Sequence, residues 1–264
     1  MTHPYQALPI IFFDDYLIAI HKPSGLLVHR SMIDRHETRF ALQMVRDQIG
    51  QRVYPLHRLD KPTSGVLLFA LSPEIAKLTG EQFQTNNVKK TYLAVVRGIT
   101  PEEGTINHPL KEQLDKMTDK RADQDKAAQE AITHYRRLNT IELPVSVDRY
   151  PTSRYSLVAA YPETGRKHQI RRHMKHIAHP IIGDAKHGKG KHNRYFAESL
   201  DAGRLLLACT EMQLTHPVTG EALCIRAPLD PVMLHLIKRF QWENSLPQPW
   251  LGGTLVRTRA LHWP

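Results

Sequence analysis

Residues 56–71, LHRLDKPTSGVLLFAL, bring together groups that could carry out nucleophilic chemistry. Asp60 lies between two cations, Arg58 and Lys61, and nearby positive charge favours the ionised form of a carboxylate. A Pro-Thr-Ser-Gly turn follows, and then an apolar run over residues 66–71 that predicts a buried strand. Such a turn would hold Asp60 in place, as an active-site nucleophile requires. A surface ion pair in a turn fits the same residues, so this segment alone leaves both interpretations open.

A second segment, residues 165–194, is strongly basic, with nine Lys or Arg, six His and one acidic residue. Helical periodicity predicts a helix over about 167–178, with Ile170 and Met174 on its apolar face. Arg171 falls on the boundary of that face, from which it could reach into a cleft and contact a carboxylate. The opposite face, which should meet solvent or phosphate, carries His168, Arg172, Lys175 and His176. The pattern fits a solvated basic face and an RNA-contacting face equally well.

Three histidines of the same segment, His173, His176 and His179, raise the alternative of a metal site. Their spacing spreads them around the predicted helix, and no cysteine or pair of carboxylates completes a ligand set. A metal site needs the right number of converging ligands, so the sequence predicts no metal here.

The overall composition points to a globular protein with a polyanionic partner. The 264-residue chain carries 36 Lys and Arg against 26 Asp and Glu, a formal net charge of +10. Such an excess favours nucleic acid over membrane as the partner. The N-terminal apolar run has no basic stretch before it and is broken by Asp14 and Asp15, which argues against a signal peptide or a membrane helix. Cys209 and Cys224 fit no disulfide or metal pattern, so we expect reduced thiols in a cytoplasmic protein.

The mixture of short elements, without regular βαβ alternation, predicts an α+β fold around a largely antiparallel mixed β-sheet flanked by helices and loops. Strands are predicted over 10–13, 17–20, 66–71, 90–97, 131–138 and 154–160, and helices over 37–48, 73–84 and 167–178. The highly charged residues 111–130 are typical of an exposed loop. We expect residues 1–245 to form a single domain and residues 246–264, with their Pro and Gly punctuation, to form a C-terminal tail.

Three motifs make the chain resemble the RluA-type pseudouridine synthase family. HRLDKPTS, at residues 57–64, matches the catalytic motif of that family without a gap. Residues 164–184 resemble its TGRxHQxRxH…HPIxGD motif, and residues 90–92 resemble its K-x-Y motif. The chain departs from the R-L-x-L-H-A sequence of the family, because Ala208 replaces the histidine, and we expect this to be a packing change.

The resemblance implies a pseudouridine synthase fold with a central active-site cleft, and it implies a role for each matched residue. Asp60 would be the catalytic nucleophile, and Arg171 would be the cation that pairs with it. Tyr92 would stack on the target base and is a candidate for the proton transfer at C5. Arg58 would fill the space that a flipped base leaves in the helix. Further substrate contacts are expected from His57, Arg166, Lys167, Arg172, Lys175 and Lys186.

The implied reaction breaks the N1–C1′ bond of uridine and rejoins the base through C5, so we expect no cofactor. HPLKEQLDKMTDK, at residues 108–120, resembles a subgroup that acts on tRNA, at the uridine in position 65 of the T stem, without a separate N-terminal RNA-binding module. We therefore predict tRNA as the partner and a monomer as the working state. The alternatives are an rRNA pseudouridine synthase and a non-catalytic RNA-binding protein. A DNA-binding protein has little support because no DNA-binding motif is present.

Overall fold

The computed structural model describes residues 7–30, 37–112 and 127–252. Most of the segment predicted as an exposed loop, residues 111–130, lies outside these ranges. Within them, no helix combines the length and the apolar composition that crossing a membrane would require.

The described residues form one mixed sheet with the predicted antiparallel character. Its ten strands, labelled β1 to β10 in chain order, are Ile10–Phe13, Leu17–Lys22, Tyr54–Pro55, Ser64–Ala70, Lys89–Arg97, Glu103–Asn107, Ile132–Leu143, Ser153–Pro162, Leu207–Thr215 and Ala222–Arg226. The main path across the sheet is β1-β2-β4-β9-β5-β8-β7-β6, while β3 pairs with β4 and β10 with β9. Among these pairs, β4 and β9 run parallel and the others run antiparallel.

Apolar cores cover both faces of the sheet. Successive residues of β5 alternate between them, so that Tyr92 and Ala94 belong to one core and Leu93 and Val95 to the other. The first core is covered by helices α1, α2 and α3, which are Ala41–Ile49, Pro73–Gln84 and Gln169–His176. The second core is covered by α4 and α5, which are Gly190–Ser199 and Pro231–Arg239. Every residue of β4 is buried, which explains why residues 66–70 are all apolar rather than alternating.

Local signals set the bounds of α2 as the sequence predicted. The Ser72 hydroxyl accepts a hydrogen bond from the main-chain NH of Ile75 at 3.3 Å, and Pro73 is the first helical residue. The prediction for α1 was wrong at its start, because Phe40 is extended and forms a bridge with Leu27, which delays the helix to Ala41.

Helix α3 is shorter than predicted at both ends. His168 has a left-handed φ of +57° just before the helix, and Ala178 has a φ of +65° just after it. A left-handed residue ends regular helical hydrogen bonding, which restricts the helix to Gln169–His176. Helical periodicity could not show this because it reads which side chains are apolar rather than the backbone angles.

The predicted boundary between domain and tail at residue 245 does not match the packing. Leu246 and Trp250 are buried in the second core, and the main-chain NH of Leu229 donates to the carbonyl of Trp250 at 2.8 Å. Residues 246–251 therefore belong to the folded domain, and the rest of the predicted tail, from 253 onward, lies outside the described residues. The Pro and Gly residues of this segment predict turns, but turns also occur in packed segments. Their presence therefore does not distinguish a tail from a folded part of the domain.

Candidate active site

Strands β4, β9 and β5 bring the Asp60 turn next to Tyr92. Cys209 of β9 lies opposite Gly65 in one strand pair and opposite Tyr92 in the other. A Cβ atom on Gly65 would lie 2.0 Å from the carbonyl oxygen of Cys209, and Gly65 has a φ of +112°. Only glycine permits this approach. The Thr-Ser-Gly of the motif therefore lets β4 pair closely with β9 immediately after Asp60.

A buried lysine, Lys22, holds the turn that carries Asp60 through hydrogen bonds to main-chain carbonyls. Nζ of Lys22 donates to the main-chain carbonyls of Pro23, Leu26 and Lys61 at 2.8, 2.8 and 3.1 Å. Burial lowers the pKa of Lys22 to about 7, Arg204 adds to the shift and Asp60 opposes it. Sequence reasoning misses Lys22 as a residue of the site, although its position directly before a Pro-Ser-Gly turn is a usable signal.

Arg171 joins two carboxylates. Its Nη1 donates to Oδ2 of Asp60 at 2.9 Å, while Nε and Nη2 form a bidentate pair with Asp184 at 2.7 and 2.8 Å. The sequence prediction that Arg171 reaches into a cleft and contacts a carboxylate is confirmed. Asp184 was missed as a site residue, although it is the final residue of the second motif.

The two carboxylates on Arg171 differ in access. The Asp60 side chain is 28% exposed, whereas the Asp184 side chain is 1% exposed. Burial alone would raise the pKa of Asp184, but hydrogen bonds from Arg171 and from the main-chain NH groups of His187 and Lys186 lower it. Burial alone would likewise lower the pKa of Arg171, but its bonds to Asp184 and Asp60 raise it. The site therefore holds a fixed cation, an inaccessible carboxylate and an accessible one.

Tyr92 lies in the same cleft with most of its ring buried. Burial raises the pKa of its hydroxyl well above the ordinary value, and Cys209 and Asp60 add to the shift. Lys90, from the same motif, also lines the cleft, and burial lowers its pKa. Ala208, which replaces the family histidine, is buried in the second core, opposite Ser64 in one strand pair and Leu93 in the other. That its replacement is a packing change stays a prediction.

The cleft around Asp60 encloses about 730 Å³. It gathers six of the predicted site residues, which are His57, Arg58, Asp60, Tyr92, Arg166 and Arg171. His57 supports the turn, since its Nε2 accepts a hydrogen bond from the main-chain NH of Leu68 at 3.1 Å and burial lowers its pKa to about 3. Arg58 and Arg166 are exposed at the surface of the cleft.

Other predicted RNA contacts lie on a second surface, here called the basic depression. It encloses about 310 Å³ and is lined by His108, Leu110, Arg172, Lys175, His176 and His187. The side chains of Lys167 and Lys186 are exposed. The predicted substrate-binding set is therefore divided between the cleft and neighbouring surfaces.

The prediction that His168 faces solvent on the basic side of the helix was wrong. Its left-handed backbone turns the ring into the cleft, where Nε2 lies 3.8 Å from Oδ2 of Asp60. The histidines considered for metal binding have protein partners instead. Both ring nitrogens of His173 are hydrogen-bonded, to the hydroxyl of Thr133 and the carbonyl of His108, and His176 stacks on His108.

Known sequences similar to this chain are RNA pseudouridylate synthases. The family model described as RNA pseudouridylate synthase matches residues 16–176. The tRNA pseudouridine synthase C of Pasteurella multocida (strain Pm70) is 54% identical over 242 residues, which are 91% of this chain and 100% of that protein. The protein of the same name from Vibrio vulnificus (strain CMCP6) is 52% identical over 239 residues, 90% of this chain and 98% of that protein.

Comparison with solved structures supports the fold. Human RNA pseudouridylate synthase domain containing 4 aligns with a TM-score of 0.65 at 24% identity, over 88% of this chain and 93% of that one. Human RNA pseudouridylate synthase domain containing 1 aligns with a TM-score of 0.63 at 22% identity, over 86% of each chain. The motifs, the fold and the sequence comparisons agree, and this chain belongs to the RNA pseudouridylate synthase family.

Proposed function

We propose that this protein converts uridine to pseudouridine in tRNA and that Asp60 is the nucleophile. The observation that carries the proposal is the unequal exposure of the two carboxylates on Arg171. Asp60 faces the cleft, while Asp184 is enclosed. Both carboxylate oxygens of Asp184 accept hydrogen bonds, from Arg171 and from main-chain NH groups. A substrate can therefore reach Asp60, and Asp184 serves to position the guanidinium.

The chemistry suits an oriented carboxylate. The N1–C1′ bond of uridine breaks, the base turns, and a C5–C1′ bond forms, with no net oxidation and no second substrate. A carboxylate oxygen can assist by adding to C6 of the base or by acting at C1′. The Arg171 bond fixes the orientation of Asp60 for either route, because one oxygen is held at 2.9 Å by a side chain that is itself locked in place.

A uridine in a stem must leave the base stack before it can reach Asp60, at a cost of a few kcal/mol. The exposed Arg58, two residues from the nucleophile, is placed to enter the vacated space. Tyr92 offers an aromatic face in the cleft against which the flipped base can stack. These roles together let the cleft accept one extruded nucleotide while the duplex stays outside.

The proposed choice of RNA rests on the relatives and on the motifs. Relatives more than 50% identical are named tRNA pseudouridine synthase C, and HPLKEQLDKMTDK resembles the subgroup that acts on position 65 of the T stem. Phosphates on either side of the flipped base would meet the cleft rim and the basic depression through Arg166, Lys167, Arg172, Lys175 and Lys186. We propose a monomer that works in the cytoplasm, where tRNA is matured.

The proposal is tested by tritium release from unmodified tRNA transcripts that carry 5-tritiated uridine, with rRNA transcripts in parallel. We expect release from tRNA by the wild type and none by Asp60→Asn. The matched control is Asp47→Asn, an exposed aspartate on α1. Because Arg171 keeps its bonds to Asp184, the Asp60→Asn protein should bind tRNA nearly as the wild type does.

Each part of the proposal has its own contrary result. Full turnover by Asp60→Asn would refute the nucleophile. Release from rRNA but not from tRNA would refute the substrate, and no release from either RNA would leave the binding protein as the better description. Sequencing of the product would show whether position 65 is the modified uridine.

A further inference from the structure

Two histidines connect in sequence to the nucleophile, His168 first and His187 behind it. Nε2 of His168 lies 3.8 Å from Oδ2 of Asp60, and Nδ1 of His168 lies 3.0 Å from Nε2 of His187. The two rings meet edge to face, with centroids 5.3 Å apart and planes at 77°. The main-chain NH of His187 donates to Asp184 at 2.9 Å, which ties this histidine to the carboxylate that holds Arg171. The pair is therefore built into the same framework as the nucleophile.

The two rings connect two separate surfaces. His168 lines the cleft, and His187 lines the basic depression on the other side of the pair. RNA bound over the cleft would exclude water from Asp60, whereas phosphate contacts at the basic depression are hydrated and leave water there to take up a proton. The pair thus provides a hydrogen-bonded connection between a covered site and solvent.

The backbone at His168 supports a functional reason for this placement. Its φ of +57° is a conformation that residues other than glycine rarely adopt, and no side-chain hydrogen bond at this position caps α3. Strain of this kind persists where the surrounding structure enforces it and concentrates at functional sites. Here the strained angle is what aims the imidazole at Asp60 rather than at solvent.

The proposed isomerisation creates a proton that must leave. When the C5–C1′ bond has formed, C5 carries both its hydrogen and C1′. Loss of that proton from a base with no bond to Asp60 returns the C–H electron pair to the ring as the C5=C6 double bond. The π pair of the N1=C6 bond moves onto N1, which takes up a proton that comes from water. Uridine and pseudouridine remain isomers, and no other reactant is consumed. The proton is acidic at this stage because its loss restores conjugation with the ring carbonyls, so a weak base is sufficient.

We propose that His168 takes the C5 proton and that His187 relays it to the basic depression. This proposal rests on the function proposed above. Nε2 of His168 accepts the proton from C5, and the Nδ1 proton of His168 passes to Nε2 of His187. His187 releases its own Nδ1 proton to water. A later proton from solvent enters at Nδ1 of His187 and is passed along the pair in reverse. Nε2 of His168 then gives its proton to N1 of the base, and both rings return to their first tautomers.

The surroundings of the two rings favour their neutral forms, so that each ring can accept a proton and pass one on. Burial lowers the pKa of His168 to about 4. The nearby charges of Arg171, His187 and Lys186 add to this lowering, and Asp60 opposes it. Burial also lowers the pKa of His187, with Arg171, Lys175 and Lys186 adding and Asp184 opposing. Both rings are therefore neutral acceptors at neutral pH. Tyr92, the other proton-transfer candidate, keeps its phenolic proton because its pKa is raised, so it is poorly suited to accept another.

The test compares single-turnover rates on tRNA transcripts with hydrogen or deuterium at C5 of uridine, and measures tRNA affinity separately. In His168→Gln we expect a rate about 100-fold lower, unchanged affinity, and a C5 isotope effect larger than in the wild type. His187→Gln should lose less, about 10-fold, because water can replace the outer step only in part. His235→Gln, at an exposed position of α5, is the control and should match the wild type.

A second variant separates chemistry from folding. Glycine fits the left-handed backbone at position 168, so His168→Gly should fold, and added imidazole should restore part of its rate. Three results would overturn the relay: a wild-type rate in His168→Gln, a loss confined to tRNA affinity, or a C5 isotope effect that appears in Tyr92→Phe but not in His168→Gln. A wild type that forms no pseudouridine would overturn the proposed function, and the relay with it.

Discussion

Replacing Asp184 by asparagine should cost both stability and activity, because this enclosed carboxylate holds Arg171. The change keeps the size of the side chain but removes the charge that accepts two hydrogen bonds, at 2.7 and 2.8 Å, from a guanidinium whose side chain is 6% exposed. Removing one partner of a buried ion pair costs about 3–5 kcal/mol, and we expect the lower end because asparagine can still accept one bond. For a domain of this size, about 3 kcal/mol corresponds to a fall in Tm of about 6–12 °C.

The catalytic loss follows from the same contacts. Arg171 would keep its bond to Asp60 but only one of its two bonds to residue 184, so the guanidinium could move. A misplacement of about 1 Å costs about 100-fold in rate. Thermal unfolding and single-turnover tritium release measure the two effects. The control is Asp148→Asn, which breaks an exposed ion pair with Lys191 and should leave the Tm nearly unchanged. A Tm and a rate for Asp184→Asn that match the control would refute this account of the site.

The pH dependence gives an independent check on Asp184. Its pKa is lowered in the folded protein, so its contribution to stability is present above the unfolded pKa of about 3.9 and is lost as the pH falls through the folded pKa. The difference in Tm between the wild type and Asp184→Asn should therefore stay constant between about pH 5 and 8 and close below about pH 4. A difference that grows on acidification would contradict the ion-pair explanation.

Three further predictions concern the fold and RNA binding. Gly65→Ala should prevent normal folding because its Cβ would meet a carbonyl oxygen at 2.0 Å, whereas Gly80→Ala, in open space on α2, should stabilise by about 1 kcal/mol in urea unfolding. Arg172→Gln should reduce the slope of log Kd for tRNA against log salt by about 1, with Arg239→Gln on α5 as the unaffected control. Trp250→Ala should destabilise by about 3–5 kcal/mol, and a loss under 1 kcal/mol would show that residues 246–251 are a tail after all.

The sequence by itself determined the features that depend on neighbours along the chain. The apolar run of β4, the Ser-Pro start of α2 and the left-handed glycine after α1 follow from local preferences, and the structure has all three. The motifs likewise pointed to Asp60 and Arg171, although these residues lie 111 positions apart, because the family resemblance assigns both to one site.

Tertiary structure alone decided which groups meet and which can be reached. Periodicity put His168 on the solvent side of a helix, but a single left-handed residue turned its ring toward Asp60. Nothing local distinguishes an accessible aspartate from an enclosed one, so the different roles of Asp60 and Asp184 became visible only through their exposure and shared guanidinium. The physical reason is that burial, and with it the strength of each charge interaction, is set by distant segments packing together.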